Sequence, residues 1–355
     1  MLCVPCYNIF IMAIKVAING FGRIGRAFFK VAQKFPEIEI VAINDLGMVE
    51  NFAYLLKYDT VYGKSDLDIK TEIEGDHRYL IVNGKKIAFL SEKDPTHLPW
   101  KLFKVDIVIE STGLFASYEK SRTHLDAGAK RVVITAPVKD KAPEGIKGET
   151  VLMGINDNLL SDVSISSNAS CTTNAASPLM AILDEKIGVE KAVLSTVHGY
   201  TASQSIVDGP SKKDWKEGRA AAQNIVPTST GAAIAVAQAI PQLLGKFDGI
   251  SMRVPVLAGS IADITFIAKR NTTVEEVNEI LKKAADEARW KKVFAVTDEP
   301  LVSSDIVGSS YGSIADLNLT RVIDGNLVKV CAWYDNEMGY THALIYHVME
   351  SGKHI

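Results

Sequence analysis

Cysteine is scarce in this sequence, with 4 in 355 residues. So few cysteines in so long a chain exclude a disulfide framework, and their spacing to the 7 histidines matches no zinc-binding signature. We therefore expect neither structural disulfides nor a bound metal. The same scarcity favours a reducing, cytoplasmic setting.

Large net charge and long apolar runs are also missing. The formal net charge is −3, so no overall basic field attracts nucleic acid or an anionic membrane surface. The apolar start MLCVPCYNIFI lacks the basic residues and cleavage site of a signal peptide, and it is too short to span a bilayer. We interpret residues 1–12 as an N-terminal extension, whose Cys3 and Cys6 precede the first strand and so do not form a thioredoxin-type site. A small-molecule partner is favoured.

The composition is otherwise that of an ordinary globular enzyme, with 47% hydrophobic and 23% charged residues. The length exceeds the roughly 250 to 300 residues at which one core stops growing, which predicts two domains. In the first, apolar IKVAI, a glycine turn, helical RAFFKVAQKF and apolar IEIVAIND follow one another. This order predicts a mostly parallel sheet with helices on its faces, in an α/β domain spanning residues 13–170.

The second half of the chain has a different pattern. Longer alternating runs such as KAVLSTVHGY and NLVKVCAWYD predict a largely antiparallel sheet within residues 171–335. The segment NTTVEEVNEILKKAADEA has helical periodicity, and Asn271 or Thr272 is the expected N-cap. Residues 336–355 predict a final helix. One side of that helix is expected to carry Tyr340, Ala343, Leu344, and His347 or Val348.

A glycine pattern near the start indicates a dinucleotide site. Gly20, Gly22 and Gly25 have G-x-G-x-x-G spacing between an apparent strand and an apparent helix. The first permits a tight turn, the second lets the backbone approach a pyrophosphate, and the third lets helix and strand pack closely. Asp45 ends the next strand at the expected distance of about 20 residues, where a carboxylate accepts ribose hydrogen bonds and repels the 2′-phosphate of NADP. NAD is the predicted cofactor.

The stretch SNASCTTN places Cys171 immediately before a helical run. Unpaired N–H groups and the dipole of a helix N-terminus stabilise a thiolate at such a position. His198, at the end of the run KAVLSTV, is the best-placed base. Taken singly, each residue is more often structural than catalytic. Beside a nicotinamide, however, the pair predicts oxidation of an aldehyde through a thioester, with the histidine removing the hydroxyl proton as hydride leaves.

Short motifs follow one another in a fixed order along nearly the whole chain: AINGFGRIGR, SNASCTTN, HGYT, DGP, AAQNIVPTSTGAA, RVPV and WYDNEMGY. This pattern resembles the phosphorylating glyceraldehyde-3-phosphate dehydrogenase family. The resemblance implies an N-terminal Rossmann domain, an α+β catalytic domain with a mostly antiparallel sheet, and a C-terminal helix that returns to the first domain. It also implies reversible oxidation of D-glyceraldehyde 3-phosphate to 1,3-bisphosphoglycerate with NAD and inorganic phosphate, in glycolysis or gluconeogenesis.

The resemblance also implies roles for individual residues. Cys171 matches the family's nucleophile, His198 its base, and Asn336 the residue that hydrogen-bonds the nicotinamide carboxamide. Substrate and phosphate binding are implied for Ser170, Thr172, Thr201, Thr230, Gly231 and Arg253. Cofactor binding is implied for Gly20, Phe21, Gly22, Arg23, Ile24, Gly25, Asp45, Ser111, Thr112, Gly113, Asn336 and Tyr340.

Two of these features also have simpler explanations. Arg253 lies in an otherwise apolar strand, so its charge requires a partner, which is either a bound anion or an acidic side chain. The segment SQSIVDGPSKKDWKEGRA also fits a solvated charged loop. In the family, the corresponding loop helps to shape the cofactor site of a neighbouring subunit, which implies a homotetramer. Its basic residues are Lys212, Lys213, Lys216 and Arg219.

The chain departs from the family in a few places. Many members carry a second cysteine four places after the nucleophile, and here that position is Ala175, so Cys171 should not form a local disulfide. Met338 replaces a common aromatic residue, and VLAGSIAD keeps only Ser260 and Asp263 of the usual pattern. Two alternatives stay open. One is an enzyme like erythrose-4-phosphate dehydrogenase that releases its thioester to water, and the other is a non-catalytic NAD-binding or RNA-binding protein on the same fold.

Overall fold

The computed structural model describes residues 13–211 and 214–355. The N-terminal extension with Cys3 and Cys6, and the loop residues Lys212 and Lys213, lie outside the described residues. The first half contains, in order, β1 (Ile14–Asn19), α1 (Arg23–Ala32), β2 (Ile38–Asn44), α2 (Val49–Lys57), β3 (Tyr58–Asp59), β4 (Gly63–Lys64), β5 (Ile69–Glu74), β6 (His77–Val82), β7 (Lys85–Leu90), α3 (Trp100–Phe103), β8 (Ile107–Glu110), α4 (Tyr118–Asp126), β9 (Arg131–Ile134), β10 (Gly148–Thr150) and β11 (Ile165–Ser167).

The second half begins with the longest helix of the described chain. Its elements are, in order, α5 (Cys171–Ile187), β12 (Val189–Gly199), β13 (Val226–Ser229), α6 (Ala232–Ala239), β14 (Phe247–Val254), β15 (Ser260–Ala268), α7 (Val274–Asp286), β16 (Phe294–Thr297), β17 (Ser313–Asp316), β18 (Arg321–Ile323), β19 (Leu327–Tyr334) and α8 (Met338–Gly352).

The first sheet has nine strands in the order β10-β11-β9-β8-β1-β2-β7-β6-β5. Its strands are parallel from β10 to β7, and β6 and β5 are antiparallel at one edge. The central strands are apolar on both faces, as a sheet covered by helices requires, with Val16 and Ile18 buried on one face and Ala17 and Val108 on the other. The strand order reverses direction at β1, and ligands bind outside the carboxyl ends of the strands at such a point.

The second sheet has the order β13-β14-β12-β15-β19-β17-β16, and β18 also pairs with β19. It is mostly antiparallel, as predicted, and only the β12–β14 and β16–β17 pairs are parallel. Helix α5 packs on one face and supplies Leu179, Met180 and Leu183 to the core. Because β12 lies between β14 and β15, the ends of these strands bring together residues that are distant in sequence.

Two helix predictions have different outcomes. The side of α8 predicted to be apolar is buried, and Leu344 and Val348 pack with Phe28 in the core of the first sheet. The predicted N-cap of α7 was wrong: Thr273, not Asn271 or Thr272, precedes the helix, and its side chain accepts from the N–H of Glu276. The Thr272 hydroxyl instead donates to the Glu276 carboxylate at 2.8 Å. Three consecutive residues can cap this helix, and the backbone geometry selects one of them.

None of the helices in residues 13–211 and 214–355 is long and apolar enough to cross a membrane.

Candidate active site

Cys171 lies at a sharp reversal between strand β11 and helix α5. Ser170 is the N-cap of α5, and its hydroxyl oxygen accepts from the Thr173 N–H at 3.1 Å. Ala169 is fully buried with φ of 54°, a left-handed conformation that a residue with a Cβ rarely adopts. We define residues 167–171 as the catalytic turn. The turn holds the sulfur at the helix N-terminus, where unpaired N–H groups favour negative charge.

His198 faces Cys171 from the end of strand β12. Its Nε2 lies 3.3 Å from Cys171 Sγ, and its Nδ1 lies 2.6 Å from the carbonyl oxygen of Gly199. The Gly199 carbonyl only accepts, so a hydrogen bond to it places the ring proton on Nδ1 and leaves the Nε2 lone pair facing the sulfur, whereas Nη1 of Arg253, which only donates, competes for the same Nδ1. This is the tautomer that a base for the thiol requires.

Both groups of this pair are held neutral. Burial and, to a lesser extent, the positive charge of Arg253 lower the pKa of His198 to about 3. Burial raises the pKa of the Cys171 thiol, although the residue is partly exposed, while Arg253 and the N–H groups of Thr172 and Cys171 oppose that rise. The pair is therefore a neutral thiol beside a neutral imidazole.

Arg253 completes the cluster from strand β14, where it is the parallel partner of His198. Its Nη1 contacts His198 Nδ1 and lies 3.4 Å from the Gly199 carbonyl oxygen. Its Nε is buried without a hydrogen-bond partner, and within the described residues no carboxylate lies at ion-pair distance. A structural ion pair therefore does not explain this arginine, and its open donor favours a bound anion.

The other residues expected to bind phosphate are less directly placed. Thr201 follows β12, and its hydroxyl lies 3.0 Å from that of Ser203. Thr230 accepts from the Ala232 N–H, and Gly231 precedes α6, which packs against α5. No hydrogen bond in the described part of the chain joins these residues to Cys171, His198 or Arg253. The Thr172 hydroxyl points into the fold, 2.9 Å from the Tyr334 hydroxyl.

Sequence reasoning missed Tyr334, which supports the site from behind. It is fully buried, its ring lies edge-on to His198 at 5.9 Å, and its hydroxyl is 2.7 Å from the Thr196 hydroxyl. The Thr196 hydroxyl donates to a backbone carbonyl at 3.1 Å, so a chain of hydroxyl groups runs from Thr172 through Tyr334 to Thr196. The alternating run CAWYD places Tyr334 on the inward face of β19, but only the sheet register brings it to His198.

A cleft of about 330 Å³ opens at the carboxyl ends of β1, β2 and β8. It is lined by Asn19, Gly20, Gly22, Asn44, Asp45, Leu46, Glu92, Lys93, Pro95, Ser111, Thr112, Leu114 and Phe115. A Cβ on Gly20 would lie 2.6 Å from the Thr112 nitrogen, and one on Gly25 would lie 2.2 Å from the Gly20 oxygen. A Cβ on Gly22 would meet no atom within 4 Å. The fold itself thus requires Gly20 and Gly25, whereas Gly22 borders open space, as a phosphate approaching the backbone would need.

Some candidate cofactor residues already have partners in the fold. Asp45 accepts from the Phe21 N–H at 2.7 Å, which fixes the carboxylate beside the glycine turn. The Arg23 guanidinium bonds Glu337 at 2.6 Å and Asp59 at 3.2 Å, so it joins the glycine turn to the start of α8 and its side chain does not face the cleft. Ile24, next in α1, has only its backbone N–H to offer a phosphate.

Ser111, Thr112 and Gly113 follow β8 at the cleft. The Ser111 hydroxyl donates to the Gly20 carbonyl at 2.6 Å, and the Thr112 N–H donates to Glu110 at 2.8 Å. Gly113 adopts φ of 72°, which glycine accommodates without strain. These contacts hold the β8 loop against the glycine turn.

Asn336 and Tyr340, near the C-terminal end of the chain, have different partners. Asn336 Oδ1 accepts from the Gly259 N–H and the Ser260 hydroxyl, each at 3.1 Å. These two donors orient the amide and leave Nδ2 to donate to a ligand. Tyr340 is buried, and its hydroxyl donates to the Ala169 carbonyl at 3.2 Å, so it contacts the catalytic turn directly.

Comparison with known proteins covers nearly the whole chain. Residues 14–118 match the family model "Glyceraldehyde 3-phosphate dehydrogenase, NAD binding domain", and residues 170–336 match "Glyceraldehyde 3-phosphate dehydrogenase, C-terminal domain". A glyceraldehyde-3-phosphate dehydrogenase of Geobacillus stearothermophilus is 48% identical over 336 residues, covering 94% of this chain and 97% of the relative.

Relatives of the same name occur in distant organisms. That of Streptomyces coelicolor is 46% identical over 337 residues, and glyceraldehyde-3-phosphate dehydrogenase 3 of Saccharomyces cerevisiae is 43% identical over 334 residues. Each match covers 94% of this chain and 97% of the relative. These matches confirm the predicted fold class and the predicted NAD cofactor. The chain therefore belongs to the glyceraldehyde-3-phosphate dehydrogenase family.

Proposed function

We propose that the chain catalyses the reversible, NAD-dependent oxidation of D-glyceraldehyde 3-phosphate with inorganic phosphate to 1,3-bisphosphoglycerate, in glycolysis or gluconeogenesis. The observation that carries this proposal is the 3.3 Å contact of Cys171 Sγ with Nε2 of His198, beside the unpaired donor of Arg253. A thiol, its base and an anion site are what oxidation of a phosphorylated aldehyde through a thioester requires.

Cys171 is the nucleophile and His198 the general acid and base. As Sγ bonds to the aldehyde carbon, the thiol proton passes to Nε2 and then to the new alkoxide, which becomes the hydroxyl of a hemithioacetal. His198 next removes that hydroxyl proton while the carbon loses hydride, and a thioester forms on Cys171. Bound NAD supplies the hydride acceptor. Attack by inorganic phosphate breaks the C–S bond, and the departing thiolate recovers a proton from His198.

The two phosphate groups need donors. The Nε and Nη groups of Arg253 and the hydroxyl of Thr201 would hold the substrate's own phosphate. Inorganic phosphate would be held at the helix N-termini, by Ser170 and Thr172 before and within α5 and by Thr230 and Gly231 before α6. Because the Thr172 hydroxyl is engaged by Tyr334, this residue would donate through its N–H.

NAD would lie in the cleft beside the glycine turn. Its pyrophosphate would accept from the N–H groups at the start of α1, from Gly22 to Ile24, and its ribose would donate to Asp45. Asn336 would hold the nicotinamide carboxamide through Nδ2, with Tyr340 supporting the turn beneath it. The full set of proposed cofactor residues is Gly20, Phe21, Gly22, Arg23, Ile24, Gly25, Asp45, Ser111, Thr112, Gly113, Asn336 and Tyr340.

We also propose that the chain has domains at residues 13–170 and 171–335 and a C-terminal segment, 336–355, that packs back on the first domain. We further propose that it forms a cytoplasmic homotetramer. Several large apolar side chains are exposed on the loop after β12 and on β12 and β14 themselves, and burial between subunits would remove them from water. They are Val193, Ile206, Val207, Trp215 and Ile250, with Trp215 88% exposed.

A steady-state assay of NADH formation from glyceraldehyde 3-phosphate tests the reaction. We expect sustained turnover with phosphate present and a strong fall when phosphate is omitted, because the thioester then lacks its acceptor. Phosphate-independent turnover would favour hydrolytic release of the thioester, and no NADH under either condition would favour a non-catalytic protein.

A further inference from the structure

A second buried histidine, His347, has no part in the chemistry described above. It lies in α8 with no exposed surface, two turns beyond Tyr340. Its Nε2 is 2.7 Å from the Ser166 hydroxyl oxygen, and its Nδ1 is 3.2 Å from Asn168 Oδ1. Ser166 and Asn168 stand on the segment that leads into Cys171, so one imidazole ring bridges two points of the chain just before the nucleophile.

The hydrogen bonds of this bridge have a consistent direction. With Asn168 Oδ1 as the acceptor, His347 carries its proton on Nδ1 and accepts the Ser166 hydroxyl proton at Nε2, while Asn168 Nδ2 is buried without a partner among the described residues. Burial lowers the pKa of His347 to about 3, so the ring stays neutral and this pattern does not change with pH in the working range. A buried polar side chain costs more than an apolar one of similar size unless its partners are specific, which makes this bridge a poor choice for packing alone.

The turn that the bridge controls is strained. Ala169, next to Asn168, has φ of 54°, which costs on the order of 1 kcal/mol for a residue with a Cβ and persists only when neighbours enforce it. The Asn168 carbonyl accepts from Asn174 Nδ2 at 2.8 Å, and the Ala169 N–H donates to Ser167 Oγ at 3.0 Å. These contacts, together with the hydrogen bond from the Asn168 N–H to the Ile134 carbonyl at 3.0 Å, fix the backbone, and within the described residues Asn168 Oδ1 is held by His347 of α8.

We propose that His347, together with Ser166, is a positioning residue for Cys171: it clamps Asn168 and thereby holds the catalytic turn in the conformation that aims the sulfur at His198. His347 touches neither the reacting atoms nor the cleft. Its effect is on the position of Cys171 Sγ relative to His198. A displacement of about 1 Å at a reacting group lowers rates by roughly 100-fold. This inference rests on the proposed function only in taking Cys171 as the nucleophile.

The test compares four variants with the wild-type protein. His347→Leu combined with Ser166→Ala replaces the hydrogen-bonded His347–Ser166 pair with apolar groups, which limits the loss of stability, and releases Asn168 Oδ1 from its partner. His347→Gln keeps an acceptor and a donor at the end of the side chain. Ser166→Ala alone removes one hydroxyl. Val348→Ala is the matched control, because Val348 is buried in the same helix but packs in the core of the first sheet, away from the turn.

Two readouts separate positioning from folding. The first is the pH profile of Cys171 alkylation by iodoacetamide, without aldehyde or NAD, with the modified cysteine identified by peptide mass. The second is kcat against KM for the aldehyde and NAD. For S166A/H347L we expect the alkylation profile to move to higher pH and kcat to fall by roughly 10-fold or more, with KM changed less than about twofold.

The single substitutions should have smaller effects on kcat and on the alkylation profile than S166A/H347L. His347→Gln should recover most of kcat and the wild-type profile, Ser166→Ala should lie between, and Val348→Ala should lower thermal stability without moving the profile. The proposal is overturned if S166A/H347L keeps the wild-type profile and kcat, or if Val348→Ala produces the same changes, because the effect would then follow stability. Alkylation reports on Cys171 alone, so this result is independent of whether the proposed reaction itself is found.

Discussion

The glycine turn, residues 20–22, connects β1 to α1, and the catalytic turn connects β11 to α5, but the two are built in opposite ways. In the glycine turn, Gly20 packs too closely on Thr112 to admit a Cβ, whereas Gly22 has no protein atom within 4 Å of its missing Cβ. The catalytic turn is tightly packed. Ala169 is buried in a left-handed conformation, and Tyr340 of α8 donates a hydrogen bond to its carbonyl. One turn is open to a ligand, whereas the other holds a reactive atom still.

The difference shows what each turn can tolerate. In the glycine turn, function depends on backbone N–H groups, so most side chains nearby are free to serve the fold, as Arg23 does in bonding Glu337. At the catalytic turn, function depends on the distance between Cys171 Sγ and His198 Nε2. The buried side chains of Tyr334 and His347 therefore serve to hold this geometry. Substitutions beside Cys171 should therefore change the reaction rate, and substitutions in the glycine turn should change NAD affinity.

The largest separation is expected for His198→Gln. Without the base at 3.3 Å from Cys171 Sγ, hydride transfer should slow by about 10²–10⁴-fold, since general acid and base catalysis contributes that much. NAD binding should stay unchanged because His198 does not line the cleft. Stopped-flow NADH formation and NAD titration by fluorescence measure the two quantities. A matching loss of NAD affinity would remove the distinction between the two turns.

The next effect is expected for Arg253→Gln. Losing a charged donor to the substrate phosphate should raise KM for the aldehyde by roughly 10-fold to 100-fold, as hydrogen bonds to charged groups contribute about 1.5–3 kcal/mol. Because Arg253 lowers the pKa of Cys171 and of His198, its removal should raise both. The pH profile of Cys171 alkylation should therefore move to higher pH. An unchanged profile would show that Arg253 does not act on the thiol.

A smaller effect distinguishes Gly22, which precedes α1, from Gly25, which lies within α1. Gly22→Ala places its Cβ in open space, so folding stability should change by less than about 0.5 kcal/mol while NAD affinity falls roughly 10-fold. Gly25→Ala places its Cβ 2.2 Å from the Gly20 oxygen and should lower stability as well as NAD affinity. Thermal unfolding without NAD, compared with NAD titration, checks both. A stability loss in Gly22→Ala would show that this glycine serves the fold.

The comparison also explains which features could be predicted from sequence. The three glycines and Asp45 act within one short strand-helix-strand unit, so their spacing is enough to predict the cofactor cleft. Cys171 and His198 were candidates from local position alone, as the ends of a helix and a strand. Arg253 could be recognised as a charge needing a partner, but only the parallel register of β12 and β14 places it beside His198.

The features that could not be predicted depend on contacts between distant segments. Tyr334 reaches His198 through the order of strands in the second sheet, and His347 reaches Asn168 because α8 returns to the strand before the nucleophile. The helical periodicity predicted that this side of α8 is buried. It did not indicate that the His347 ring would hydrogen-bond Ser166 and Asn168. The N-cap of α7 was wrongly predicted for a local reason. Asn271, Thr272 and Thr273 are adjacent, and each has a side chain that can cap a helix.

The most direct test of the central claim is a single-turnover experiment without phosphate. The enzyme is mixed with NAD and glyceraldehyde 3-phosphate, NADH is followed by absorbance, and the quenched protein is analysed by peptide mass. We expect a burst of about one NADH per subunit and an acyl group on the peptide carrying Cys171, with neither in Cys171→Ser. A full burst in Cys171→Ser, or NADH without acylated Cys171, would contradict the account.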